Sequence, residues 1–297
     1  MGNHAPAAAR AGIALPGARR PARLGGSLVN AAILALSPTR AISRRTALTF
    51  GVLWAMAAIV LWMASPFATL PTPRAVWSAL GELWWTGGMG PELWQTLVLI
   101  AEATLLTAVL SLALAYASVV RLFVPLLDAL SKLRFLSLTA LVFPLTLITG
   151  GGHALKVAML TFGMSAFYLT AMVRIVREIP PARFDQMRVL GASDLRIVWE
   201  VVILGTLDRA LDALRQNVAM GWSMITMVEG ISRSEGGIGA LLLNQYKHLR
   251  LAHVYAILVV VLGVGLLIDW GMGALSGLLC PWTRRREAPE SERDQEG

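Results

Sequence analysis

Long apolar stretches alternate with short polar connections along most of this chain, from Thr46 to Cys280. A helix needs roughly 20 apolar residues to cross the hydrocarbon core of a bilayer, where it satisfies its own backbone hydrogen bonds. The pattern therefore predicts an all-α integral membrane protein with about six transmembrane helices. The third predicted span is short and contains Pro144, and the fifth begins with charged residues. The predicted spans are Ala47–Met63, Thr96–Val120, Phe135–Thr149, Ala154–Val173, Leu207–Val228 and Val254–Leu279.

Composition supports a membrane protein and argues against a nucleic-acid-binding one. Hydrophobic residues make up 56% of the chain and charged residues only 15%, which is too apolar for an ordinary soluble domain. The net charge of +8 is compatible with nucleic-acid binding, but the arginines lie in the tails and in particular loops, with no soluble module beside them. Cys280 is the single cysteine, which excludes an intramolecular disulfide.

The distribution of positive charge predicts that both termini face the cytoplasm, because arginine and lysine near span ends stay on that side. These residues are concentrated in the N-terminal tail, in the second and fourth connections between spans, and in the C-terminal tail. We predict a largely disordered basic tail at 1–45, a transmembrane domain at 46–282 and a cytoplasmic tail at 283–297. The apolar run at 28–36 imitates a signal peptide, but it is too short to span and more arginines follow it.

The fourth connection, 174–206, has the pattern of a helix, a glycine turn and a second helix. Two prolines at 180–181 favour a helix start, and the short helix Ala182–Leu190 is expected to stop at Gly191. Ser193 or Asp194 is suited to cap the second helix. An exposed apolar stripe among arginines is typical of a docking element, although an amphipathic loop lying on lipid headgroups fits the same pattern. The stripe consists of Phe184, Met187 and Leu190.

Two acidic residues lie inside predicted spans, where a charge is costly. Glu102 lies near the outer third of the second span, and it has either a functional role or a simpler one, reaching the interface or pairing with a polar neighbour. Asp269 lies toward the inner half of the last span, and a structural hydrogen bond is the favoured interpretation. The sequence Gly150–Gly152 before His153 indicates a tight turn, and a lone histidine there does not make a metal site.

Part of the fourth connection resembles a segment of a known protein family. The stretch Ile179–Leu204 resembles the cytoplasmic loop of binding-protein-dependent ABC importer permeases, in which a Glu-Ala-Ala triplet, three residues and a glycine form the helix that docks into the ATPase. Asp185, Gln186 and Met187 occupy the triplet here, Gly191 has the expected spacing, and Leu204 replaces the family's proline. The resemblance implies that the following residues contact the ATPase: Phe184, Asp185, Gln186, Met187, Leu190, Gly191, Ala192 and Ser193.

Further segments are similar to the nitrate, sulfonate and taurine branch of these permeases. Leu70–Pro73 with the helix after it resembles that branch's outer segment, and Gly236–Gly239 resembles its outer loop. Arg215, Trp222 and Glu229 fall where its fifth helix carries the same residue types. Five residues are thereby candidates for structural or translocation roles: Glu102, Arg215, Trp222, Glu229 and Asp269.

The resemblance implies a type I ABC importer permease in the bacterial inner membrane, carrying a small, anionic solute such as nitrate, a sulfonate or taurine. The sequence contains no G-x-x-x-x-G-K-[ST] phosphate loop, so ATP hydrolysis is expected in a separate subunit and this chain is not expected to be an enzyme. The implied partners are two ATPase copies, a second permease (identical or paralogous), a periplasmic binding protein and the lipid bilayer. No cofactor is expected.

Two other function classes compete with this interpretation. A secondary transporter, or another polytopic membrane protein without ATP coupling, is the main alternative, but such transporters are built from internal repeats and the chain has no convincing one. An intramembrane enzyme would need a nucleophile with a base, or a metal cluster, and the four scattered histidines provide neither.

Overall fold

The computed structural model describes residues 44–64, 70–232 and 235–281. The predicted tail 1–45, apart from its last two residues, and the predicted tail 283–297 lie outside the described residues. All regular elements within the described ranges are helical, which confirms the prediction of an all-α protein.

The chain divides into two compact units, Met1–Ala64 and Ser65–Gly297. The described part of the first unit is the helix α1, Arg44–Met63. Its apolar part, Ala47–Met63, has the bounds of the first predicted span.

The second unit is a helical bundle with short connecting elements. Short 3₁₀ helices lie at Arg121–Phe123, Lys132–Phe135 and Leu204–Thr206, and a π-helical segment at Val198–Ile203. The α-helices of this unit are α2 (Pro73–Trp85), α3 (Met89–Ala117), α4 (Val124–Ser131), α5 (Leu138–Thr149), α6 (Gly152–Arg177), α7 (Pro181–Val189), α8 (Asp194–Ile197), α9 (Leu207–Ile231), α10 (Ile238–Lys247) and α11 (Leu251–Leu279).

Among the described residues, α3, α6 and α11 are long and apolar enough to cross a membrane. The pair Val124–Phe135 and α5 would add a fourth crossing as one broken span, bent by 112°. Phe135 belongs to the element before this bend, so the helix of the third predicted span begins three residues later than expected. The count of six spans stays a prediction.

Small residues let α3 and α6 pack closely. Every fourth residue on one face of α3 is small and almost fully buried: Ala103, Thr107, Ser111 and Ala115. The Oγ of Ser111 donates a 3.4 Å hydrogen bond to the backbone carbonyl of Ser165 on α6. Close packing of this kind holds membrane helices together, because lipid provides no hydrophobic force between them.

The helix α9 completes the core against α3 and α6. Its Trp222, Ile225 and Val228 pack into a cluster with Met159 and Leu160 of α6. Near the start of α9, the backbone carbonyl of Ala210 accepts a 3.1 Å hydrogen bond from the Tyr168 hydroxyl of α6.

These contacts define two ends of the bundle. The helices α3 and α6 run parallel, and α9 runs antiparallel to them, since Thr96 near the start of α3 contacts Glu229 near the end of α9. We call the end with Gly150–Gly152 and Gly236–Gly239 the glycine end. The opposite end, which we call the arginine end, carries Arg174, Arg177, Arg188, Arg196 and Arg209.

Candidate functional site

A buried carboxylate lies at the centre of the glycine end. Glu229 is 1% exposed, and its two oxygens accept 2.7 Å hydrogen bonds from the Thr96 hydroxyl and from the backbone N–H of Gly239. A buried carboxylate is costly unless it is hydrogen-bonded, so these donors account for the presence of Glu229 inside the bundle.

The loop Gly236–Gly239 is hydrogen-bonded to two further helices. The Glu92 carboxylate of α3 accepts a hydrogen bond from the backbone N–H of Gly237, and the Thr96 hydroxyl accepts one of 2.9 Å from Ile238. Lys156 of α6 is 2% exposed and donates a 2.7 Å hydrogen bond to the carbonyl of Gly236. One loop therefore joins α3, α6 and α9.

Glycine is required at two positions of this loop. Gly236 and Gly237 have φ angles of +70° and +105°, a region that residues with a Cβ atom rarely adopt. A Cβ atom at Gly237 would also collide with the carboxyl group of Glu229. The close approach of the backbone to this carboxylate thus depends on the missing side chain.

A cavity of about 310 Å³ opens beside this cluster. His153 lies at its rim, and its Nε2 is 2.8 Å from an oxygen of Glu102 on α3. Both side chains of this pair are 47% exposed. The cavity is lined by Trp94, Gln95, Val98, Leu99, His153, Lys156, Glu229 and Glu235.

A second ion pair joins α9 to α11. The guanidinium of Arg215 donates hydrogen bonds of 2.7 and 2.6 Å to the two carboxylate oxygens of Asp269. Gly273 admits the guanidinium, because a Cβ atom there would lie 3.1 Å from Nη1. Gly273 thus lies at a close contact between α11 and α9.

Trp222 lies on the same face of α9. Its indole N–H donates a 3.0 Å hydrogen bond to the carbonyl of Val261, and Gly265 leaves room for the ring. A cavity of about 430 Å³ lies between α9 and α11, with Trp222 in its wall and the Arg215–Asp269 pair at its edge.

The predicted docking loop forms at the arginine end. The helix α7 ends at Val189, and Gly191 has a φ angle of +74° with open space where a Cβ would lie. The turn is closed by a 3.1 Å hydrogen bond from the N–H of Ala192 to the carbonyl of Met187. The short helix therefore stops just before Gly191, as the sequence predicts.

The prediction of an exposed apolar stripe on this loop is only partly correct. Phe184 and Met187 pack against an apolar cluster that contains Val176 and Ile179, so they are half-buried rather than exposed. Leu190 alone of the three is exposed, at 79%. Two neighbours extend the exposed apolar surface instead, Val189 at 88% and Leu195 at 85%.

Ionic contacts hold the loop onto the bundle. Glu178, just after α6, accepts hydrogen bonds from Arg209 and Arg174, and these donors hold the pKa of Glu178 below its usual value. Asp185 pairs with Arg188 at 3.3 Å on the exposed side of α7. Gln186 and Ser193 are also exposed, and Ala192 is half-buried.

The structure divides the predicted site residues into three groups. The eight docking residues lie together at the arginine end. Glu229 lines the cavity at the glycine end and Glu102 pairs with His153 of the same cavity, whereas Arg215, Trp222 and Asp269 lie along the interface of α9 and α11.

Three contributors at the glycine end were missed: Glu92, Thr96 and Lys156. Lys156 alone had a signal in the sequence, since it is a charge inside a predicted span.

Comparison with curated proteins identifies relatives of this chain. It is 26% identical over 258 residues to the taurine transport system permease protein TauC of Escherichia coli, a match covering 81% of this chain and 91% of TauC. It is also 24% identical over 143 residues to a putative ABC transporter permease protein of Methanocaldococcus jannaschii, covering 48% of this chain and 53% of that protein. No family model matches the chain.

A solved structure supports the same fold. A chain of the MetNI methionine ABC transporter, solved in inward-facing conformations, superposes with a TM-score of 0.55 at 18% identity, covering 66% of this chain and 96% of that one. The chain is thus homologous to ABC transporter permeases, which confirms the family resemblance seen in its sequence. It is a multi-pass membrane protein, and its homologues are transport subunits rather than enzymes.

Proposed function

We propose that this chain is the membrane-spanning permease subunit of an ATP-driven importer. The observation that carries this proposal is the match to a taurine transport permease across 81% of the chain and 91% of the relative. So extensive a match includes both the bundle and the loop at the arginine end.

The solute is a small anionic or sulfonate-like molecule. The name of the relative, a taurine transport permease, supports this class. The segments that resemble the nitrate, sulfonate and taurine branch, including the loop Gly236–Gly239, agree with this class.

ATP is hydrolysed by two copies of a separate ATPase, and a second permease completes the pore. A periplasmic binding protein delivers the solute. The chain lies in the bacterial inner membrane with both termini in the cytoplasm. The arginine end then faces the cytoplasm, as expected from its concentration of positive charge, and the glycine end faces outward.

The loop at the arginine end docks into the ATPase. The eight predicted residues, Phe184 to Ser193 without Arg188 and Val189, form this contact, and Val189 joins them. The support for this role is the exposed pair Val189 and Leu190 beside the Gly191 turn, since an apolar surface at a helix end outside the bilayer needs a protein or lipid partner. Phe184 and Met187 anchor the helix to the bundle, so a push on α7 is transmitted to α6.

The five remaining predicted residues act within the membrane domain. Glu229 fixes the outer loop, and Arg215 with Asp269 and Trp222 joins the last two long helices. Glu102 orients His153 at the rim of the cavity at the glycine end.

The docking role is tested by copurification of the ATPase with tagged permease. Leu190→Asp should reduce ATPase recovery, because it places a charge in an apolar contact. Gly191→Val should also reduce recovery, because a β-branched residue adopts a positive φ only with strain. The matched control is Leu122→Asp, since Leu122 is 80% exposed in the other connection at the same end.

Full ATPase recovery with both loop variants, at normal membrane levels, would contradict the docking role. Equal losses with Leu122→Asp would point to contact with lipid headgroups.

A further inference from the structure

We propose that the cavity at the glycine end is a binding site for a small zwitterion, with Lys156 holding its anionic end and Glu229 and Glu235 its cationic end. The inference rests on the proposed function for the identity of the solute. The binding step itself does not depend on ATP or on a partner.

The shape of the cavity is suited to a small ligand. Its volume of about 310 Å³ is at the lower end of the range typical of ligand pockets. Apolar walls come from Trp94, Val98 and Leu99, while a few polar groups converge from three helices. A mixture of this kind fixes the orientation of a ligand as well as enclosing it.

Lys156 provides the donor side. Its ammonium group has three N–H donors, of which one bonds the Gly236 carbonyl at 2.7 Å. The side chain is 2% exposed and also lines the cavity, so a sulfonate or carboxylate there would meet a positive charge with little competition from water. His153, held by Glu102, adds a ring nitrogen at the rim.

The cavity is lined by two carboxylates and one lysine. Glu229 and Glu235 both line the cavity, and the amide of Gln95 lies with them. A simple anion would meet Lys156 but would also be repelled by two carboxylates. A molecule that carries an ammonium group beside its anionic group satisfies both sides, so the charges favour a zwitterion over an anion of the same size.

Direct binding to the purified permease in nanodiscs tests this inference without the other subunits. The probes are taurine, which carries both charges, ethanesulfonate, which lacks the ammonium group, and ethylamine, which lacks the sulfonate. Taurine should bind saturably, and each one-ended probe should bind about tenfold more weakly or worse, as expected when a charged hydrogen-bonding group loses its partner.

Two variants and one control localise the binding. Lys156→Met and Glu235→Gln should each weaken taurine binding about tenfold or more. Glu235 is exposed, so its variant remains informative even where loss of Lys156 disturbs folding. Lys247→Met is the matched control, because Lys247 is an exposed lysine on α10 that does not line this cavity, and its binding should equal that of the unaltered protein.

Three results would overturn the inference: absence of saturable taurine binding, equal binding of taurine and ethanesulfonate, or equal losses in the Lys247 control and the Lys156 variant. Binding is measured beside ATP-driven uptake by the complete transporter. Uptake without binding at this cavity would refute the site and leave the proposed function standing. Binding without ATP-driven uptake would support the site and contradict the proposed function.

Discussion

The hydroxyl of Thr96 donates a 2.7 Å hydrogen bond to Glu229, a residue 133 positions further along the chain. The same hydroxyl oxygen accepts a 2.9 Å hydrogen bond from the backbone N–H of Ile238. Thr96 therefore links the start of α3, the end of α9 and the first residue of α10. The bundle is closed at the glycine end by contacts among groups that are distant in sequence.

Replacing Glu229 should destabilise this end in proportion to the hydrogen bonds that are lost. Glu229→Leu removes the acceptor for both Thr96 and Gly239, and we expect a loss of about 1–3 kcal/mol in the free energy of unfolding. Glu229→Gln keeps one acceptor oxygen and should lose less. Thermal unfolding in detergent, followed by tryptophan fluorescence, measures the order, and an unchanged transition for the leucine variant would contradict the role of Glu229.

Gly237→Ala should be more harmful than Gly150→Ala. Both glycines have positive φ angles, so both variants carry backbone strain of about 1–3 kcal/mol. Only at Gly237 does the added methyl group also meet Glu229, whereas the space at Gly150 is open. The comparison of the two unfolding transitions measures this difference, to which the less favourable backbone conformation of Gly237 (φ 105°, ψ 160°) also contributes, and equal shifts would mean that the loop moves aside without cost.

The pair of Arg215 and Asp269 should show stronger coupling than an ordinary surface pair. Arg215 and Asp269 border a cavity whose other lining residues are apolar, and Asp269 lies ten residues before the end of the apolar helix α11, so an unpaired charge on that side would face apolar residues. We expect Arg215→Met and Asp269→Leu each to destabilise the protein, and the double variant to recover much of the loss.

The control for this double-mutant cycle is the pair of Arg177 and Asp128. Its atoms approach to 2.8 Å and both side chains are about half exposed, but it lies at the arginine end rather than along a long apolar helix. Its coupling should be smaller. A cycle in which the two pairs couple equally would contradict a special environment for Arg215 and Asp269.

The orientation of the chain can be tested with a reporter that is active only in the periplasm. A fusion after Gly237 should be active, because positive charge is sparse around the glycine end. A fusion after Arg286 should be inactive. Equal activity at both positions would contradict the predicted topology.

The sequence predicted the local features well. Gly191 follows a short apolar-periodic helix, so its left-handed turn could be anticipated from the few residues around it. The helix α4 and the bend after it were not predicted, because Lys132 and Arg134 marked this stretch as a connection between spans rather than as part of one. The backbone is extended at Ser137, directly before α5 begins.

Contacts between helices that are distant in the sequence could not be predicted from the sequence. Nothing near Lys156 indicates that its ammonium group meets Gly236, 80 residues away. The inward packing of Phe184 and Met187 was missed for the same reason, since their partners lie on α6 and in the second helix of the loop. A single helix pattern identifies an apolar face but not the surface that covers it.

The most direct test of the proposed import function is uptake of labelled taurine by liposomes that contain this permease with an ATPase and a binding protein as its proposed partners. We expect accumulation inside the liposomes that requires ATP and both partners, and that falls sharply with Leu190→Asp while Leu122→Asp leaves it unchanged. Uptake that proceeds equally well without ATP, driven by an ion gradient alone, would contradict it.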